Sequence, residues 1–227
     1  MKSRIRLGIL ALPTAGALST IASVVPGVFI NPADDPEGFA KVSLWAGVGN
    51  MVGLVGAVFL LVGVWALYSF LAETSGDRWA LFGLLLNFVG LGLFMPFIGI
   101  LAFAAPIAGR LYLNGDKNAL TIIADATSIS TIVTNPSAFV FGGLAVLLLS
   151  VGSILLGYGI WQSQRLPKWS GLLYAVAAPL WIDPLSNYQP IIAFIGSLGL
   201  LTSGGWMAAS IAGRKTTERA PIPLEKG

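Results

Sequence analysis

The chain reads as an all-α integral membrane protein of six transmembrane helices with both termini cytoplasmic. Composition, the lengths of its apolar runs and the placing of its cations lead there. Of 227 residues, 56% are hydrophobic and only 10% charged, with a mean hydropathy of +0.82. A water-facing surface needs roughly a quarter of residues charged. Soluble-looking segments reach only about 25 residues, the scale of a linker. Residues 1–213 are therefore expected to form a single six-helix transmembrane domain, followed by a disordered polar cytoplasmic tail over residues 214–227.

In chain order, Lys2, Arg4 and Arg6 precede an uncharged run from Leu7 to Ile30. That run is long enough to span, and longer than the apolar region of a secretory signal, so a retained helix is expected. Pro13 and Pro26 are expected to kink its two ends. Asp34, Asp35, Pro36 and Glu37 form a turn cluster before the second span, Val42 to Leu71. Here Gly49 and Gly53 stand at G-x-x-x-G spacing, which lets helix backbones approach closely. A polar turn over residues 73–78 leads to a third apolar run, Trp79 to Leu113. As one helix it would reach about 50 Å at 1.5 Å per residue. Pro96 and Pro106 are therefore expected to kink or break it, leaving the span at residues 79–101 and an outer extension over 102–113.

Beyond the Asn114-Gly115-Asp116 turn, Ala119, Ile122, Ala126, Ile129 and Val133 share one helical stripe, and Thr121, Asp125 and Ser128 another. This pattern predicts a short amphipathic helix on the outer interface over residues 119–134. The fourth span, Ser137 to Trp161, carries Gly143, Ser150 and Gly157 spaced in sevens. The fifth, Leu166 to Ile182, is barely long enough to cross and ends at Asp183-Pro184. In the sixth, Ile191 to Ala212, Gly204, Ala208 and Ala212 repeat at four-residue spacing.

The cations fit this layout. Ten of the 13 Lys and Arg residues fall on inner segments, and only Lys41, Arg110 and Lys117 on outer ones. That is the bias of cytoplasmic loops, and it accounts for a pI of about 9.3 without a nucleic-acid partner. Trp79, Trp161 and Trp169 are placed at the inner interface, Trp45 and Trp181 at the outer one. Tyr68, Tyr112, Tyr158, Tyr174 and Tyr188 are read as interfacial anchors.

The chain has no cysteine and no histidine. Disulfides, thiolate chemistry, the commonest transition-metal and haem ligand and the usual near-neutral proton carrier are all removed. Phosphate loops, zinc signatures and catalytic triads are lacking too, so no catalytic residue, metal or cofactor is expected. No Asp, Glu, Lys or Arg falls near the middle of a predicted span, which argues against an ion-coupled pump. Asn50 and Asn87 are the strongest polar side chains within spans. They either line a polar path, with Pro96 shaping a cavity beside it, or hydrogen-bond as packing glue. The outer carboxylates Asp34, Asp35, Glu37 and Asp183 either gather a divalent cation or belong to a solvated loop; their spacing matches no calcium loop. The small residues Gly49, Gly53, Gly143, Ser150, Gly157, Gly204, Ala208 and Ala212 form seams that pack within the chain or dock another subunit.

The stretch L-L-G-Y-G-I-W-Q-S-Q-R-L-P-K-W-S-G-L-L over residues 155–173 resembles the signature turn of the DUF4386-like group of small bacterial multi-spanning proteins. The shared features are Gly157 and Tyr158 near the end of one span, then Ser163, Leu166, Pro167, Lys168 and Gly171 before the next. The resemblance implies a bacterial origin and a helical membrane fold, and no activity.

The function expected from these features is that of a non-catalytic scaffold or accessory subunit in the cytoplasmic membrane. Its partners would be the lipid bilayer and other membrane-protein subunits. The alternative is a transporter or channel for a neutral or lipidic solute, using the region of Asn50, Asn87 and Pro96. A further alternative is a lipid-modifying enzyme using the outer carboxylates.

Overall fold

The computed structural model describes residues 3–121, 123–124, 136–182 and 190–217. Helices make up its regular structure, with no strand among the described residues. They are α1 (Ser3–Ile9), α2 (Ala11–Val24), α3 (Pro36–Leu71), α4 (Asp77–Leu113), α5 (Pro136–Ser163), α6 (Lys168–Ile182) and α7 (Pro190–Thr217).

Local chemistry sets their ends. Pro13 has no N–H to offer the Ile9 carbonyl, and the first span is interrupted there, at Leu10, into α1 and α2. The Asp35 carboxylate accepts a hydrogen bond from the Gly38 N–H at 2.8 Å, and Pro36 follows it as the first residue of α3. Beyond Leu71 the chain turns through Glu73, whose φ of 65° lies in the left-handed region. Gln164 does the same after α5, with φ 52°.

Of the kink or break expected at Pro96 and Pro106, the break does not occur. α4 runs unbroken for 37 residues with both prolines inside it, so residues 102–113 continue the helix. In a bilayer, a broken helix would leave backbone groups without water to bond them, a larger penalty than a proline inside a helix. Pro106 also seats its ring directly on Gly47 of α3. At the other end of the chain, α7 runs on to Thr217, four residues past the expected boundary of the membrane domain. Most of the amphipathic helix expected over 119–134 lies outside the described residues, as do Asp183 and residues 218–227.

Five helices are long and apolar enough to cross a membrane: Arg4–Val24, Pro36–Leu71, Asp77–Leu113, Val140–Ser163 and Pro190–Gly213. α6, with 15 residues, falls short of the roughly 17 that a simple crossing needs. It nevertheless lies antiparallel between α5 and α7. Gly157 of α5 meets Gly171, and Gly199 and Gly196 of α7 meet Ala177 and Trp181 in turn.

Neighbours in sequence are neighbours in space, and the ring closes. α2 packs on α3, α3 on α4, α4 on α5, α5 on α6, α6 on α7, and α7 back on α2. Inside it, Leu67, Leu91, Leu156, Ile160, Tyr174 and Met207 are each no more than 1% exposed. Two turns at one end are tied together: Arg165 donates to the Phe70 carbonyl at 3.2 Å, and Ser75 to that of Gln162 at 2.6 Å. There Trp161 and Trp169 meet edge to face at 6.1 Å, with the Lys168 ammonium 5.4 Å from the Trp161 ring. At the opposite end the first half of α3 and the second half of α4 carry a satellite core of Phe39, Ala40, Ala46, Ala105 and Ala108, capped by Leu120 and Ile123.

Candidate functional site

Asn87 sits on α4 where α4 and α5 approach closely, because glycines face each other there. A Cβ on Gly83 would lie 2.8 Å from the Gly152 carbonyl, and one on Gly152 only 2.5 Å from the Asn87 amide nitrogen. The two backbones touch, and Asn87 is left only 1% exposed. Its amide donates to the Gly83 carbonyl at 2.8 Å, and its Oδ1 accepts from the Ser153 hydroxyl of α5 at 3.3 Å. Tyr174 of α6 brings a third polar group beside Ser153. Its ring is 1% exposed, and among the described residues its hydroxyl makes no well-formed hydrogen bond. An amide and two hydroxyls from three helices thus meet inside the ring.

Asn50, the other candidate, is not part of this node. Its amide donates to the Ala46 carbonyl of its own helix at 2.8 Å. Since Gly47 meets Ala102 and Pro106, Asn50 lies roughly 20 Å along α4 from Asn87 at 1.5 Å per residue. Pro96 lies exposed on α4, outside both. The three positions expected to frame one cavity are therefore separate.

Reading Tyr174 as an interfacial anchor was incorrect: it is among the largest fully buried side chains. Tyr158 does fit that role, half exposed with its ring 5.2 Å from Trp79. The burial of Tyr174 had a signal in the sequence. Ser153 stands one turn before Gly157, and Tyr174 one turn after Gly171, so both follow the glycine contact that joins α5 to α6.

No family model, curated protein or solved structure matches the chain. Its chemistry has to be read from the residues alone.

Most of the small-residue seam turns inward. Gly49 rests against Val25 and Val28, Gly53 near Ala22, Gly157 against Gly171 and Ala175, and Gly204 against Leu12 and Pro13. Ala208 packs against the main core, and Ser150 is half-buried. Gly143 has open space where a side chain would be, and Ala212 is exposed. The carboxylates before and at the start of α3 are engaged locally: Asp34 accepts from Asn31 at 2.8 Å, Asp35 caps α3, and Glu37 pairs with Lys41 at 2.8 Å. Among the described residues, no three Asp or Glu side chains converge in a way that could hold a metal ion.

Proposed function

We propose that the chain is a non-catalytic, six-span protein of a bacterial cytoplasmic membrane that serves as a scaffold or accessory subunit. The observation that carries this reading is the filled centre of the ring, closed by Leu67, Leu91, Leu156, Ile160 and Met207. Such a centre supports a packing role over a conducting one. α6 is the sixth span in this proposal. Its Trp181 reaches Phe94 at 6.4 Å, and Phe94 lies about 25 Å along α4 from Asp77, most of a 30 Å hydrocarbon core. With the basic end of α7 inside, both termini are cytoplasmic. The likeness of residues 155–173 to the DUF4386-like turn belongs to the same proposal.

With the glycine seams used internally, the docking surface is the outer reach of α3 and α4. Leu44, Trp45, Phe103 and Ile107 are each more than half exposed there. A photo-crosslinker at Phe103, followed by purification in mild detergent, is expected to carry a second membrane protein with the chain. Recovery of the chain without any crosslinked protein would contradict the scaffold reading.

The transporter reading keeps one point in its favour, the Tyr174 hydroxyl beside Ser153, which makes no well-formed hydrogen bond among the described residues. Solute flux into proteoliposomes that is lost in Asn87→Leu would favour it over the scaffold.

A further inference from the structure

Two grooves flank α1, and each has an arginine at its mouth. The larger, of about 400 Å³, runs between α1 and α4 over the surface of α3. Arg4 and Ser69 stand at its polar end, and Leu61, Val62, Trp65 and Phe88 line its apolar length. That volume lies within the roughly 300–1,000 Å³ of ligand sites. The smaller, of about 250 Å³, lies between α1 and α7, with Arg6 beside Leu10, Ile211 and Ala212.

The two arginines are unusual in their partners. Among the described residues the ion pair is Glu37 with Lys41, at the far end of α3, so neither Arg4 nor Arg6 meets a carboxylate. The Arg6 Nε is buried and has no hydrogen-bond partner. The Ser69 hydroxyl is already satisfied by the Trp65 carbonyl at 2.9 Å, leaving Arg4 as the free donor at the groove mouth. A guanidinium without an acceptor among the described residues, above an apolar channel in the membrane, is complementary to one thing the membrane itself supplies: a phosphate ester carrying acyl chains.

We propose that these grooves are binding sites for an anionic phospholipid, whose chains lie along Trp65, Val62 and Phe88 and whose phosphate is held by Arg4, with Arg6 holding a second molecule on the other side of α1. A neutral lipid fills the same grooves but leaves the arginines without a net counter-charge, so binding discriminates by headgroup, roughly fivefold per arginine. The site requires that α1 lie at a headgroup layer, on whichever face. A reversed topology or the loss of the scaffold reading would change the leaflet or the partner and leave this binding intact.

The test is native mass spectrometry of the full chain, delipidated in detergent and titrated with phosphatidylglycerol or phosphatidylcholine of identical acyl chains. Preferential retention of phosphatidylglycerol is expected, at least fivefold. The double variant R4Q/R6Q should hold both lipids equally, and R110Q, at the other end of the molecule, should keep the preference. Ser69→Trp, which blocks the larger groove and keeps both charges, should lower phosphatidylglycerol retention even if the double variant folds poorly. Glycerol phosphate without chains should not compete. Equal retention of the two lipids by the unmutated chain, selectivity that survives R4Q/R6Q, or displacement by glycerol phosphate alone would each overturn the proposal.

Discussion

The closed ring and the outer reach of α3 and α4 are held together in different ways. In the ring, backbones meet directly: a Cβ at Gly16 would run into the Leu201 nitrogen, and one at Gly157 would lie 2.5 Å from the Gly171 carbonyl. Turns reinforce it, with Arg165 on Phe70 and Ser75 on Gln162. The outer pair also has close contact, Gly47 on Ala102 and Pro106 and Gly109 on Ser43, beside a small separate core of alanines and one phenylalanine, but its Leu44 and Phe103 remain exposed. Without a hydrophobic drive between helices in lipid, close backbone contact is what binds them. The ring has that contact on seam after seam, between α2 and α3, α4 and α5, α5 and α6, α6 and α7, and α7 and α2. The outer pair is held on one seam only, and is the part free to engage something else.

Four substitutions and one control sharpen this contrast, from the largest effect to the smallest. Gly16→Val drives a branched side chain into the α7 backbone, which cannot retreat as a side chain could. Destabilisation at or beyond the top of the usual range of about 1–3 kcal/mol is expected, read as loss of the monodisperse peak in detergent. Gly92→Ala, where a Cβ meets nothing within 4 Å, is the control and should be neutral or better. Arg165→Ala removes a charged hydrogen bond to the end of α3 and should lower stability by about 1.5–3 kcal/mol in a thermal melt. Asn87→Leu breaks the α4–α5 link through Ser153 and should lose roughly 0.6–1.7 kcal/mol, the range for such bonds in membranes. Phe39→Ala should leave the main melting transition almost unmoved while speeding amide exchange in residues 36–46 and 102–113. A global loss equal to that of Gly16→Val would remove the distinction between the two regions.

Much of this was legible in the chain, and the misses have physical causes. The apolar runs and polar turns predict the helices, because in lipid only a helix satisfies its own backbone. Pro96 and Pro106 mislead for the same reason. Their local penalty is real, but the bilayer makes an interrupted helix worse, and Gly47 shapes itself to Pro106. Gly49, Gly157 and Gly204 rest on neighbouring segments of the same chain, yet their spacing alone says nothing of whether the partner is the same chain. The Asn87 node needed three helices to be placed at once. Asn87 is visible as an intramembrane amide, whereas Tyr174 looks like any tyrosine in a short apolar run until α6 is set between α5 and α7.

In the proposed topology α6 crosses the membrane, so that the segments before and after the α6–α7 hairpin lie on one side. The absence of cysteine makes it directly measurable, since a single introduced thiol is the only one present. Lys41→Cys, Lys168→Cys and Arg219→Cys would be treated in intact cells with a membrane-impermeant thiol reagent. With six spans, labelling of the residue 41 variant alone is expected, with the other two reacting only after the membrane is opened. Labelling of the residue 219 variant from outside, with residue 168 still protected, would mean that α6 turns back without crossing and would contradict that topology.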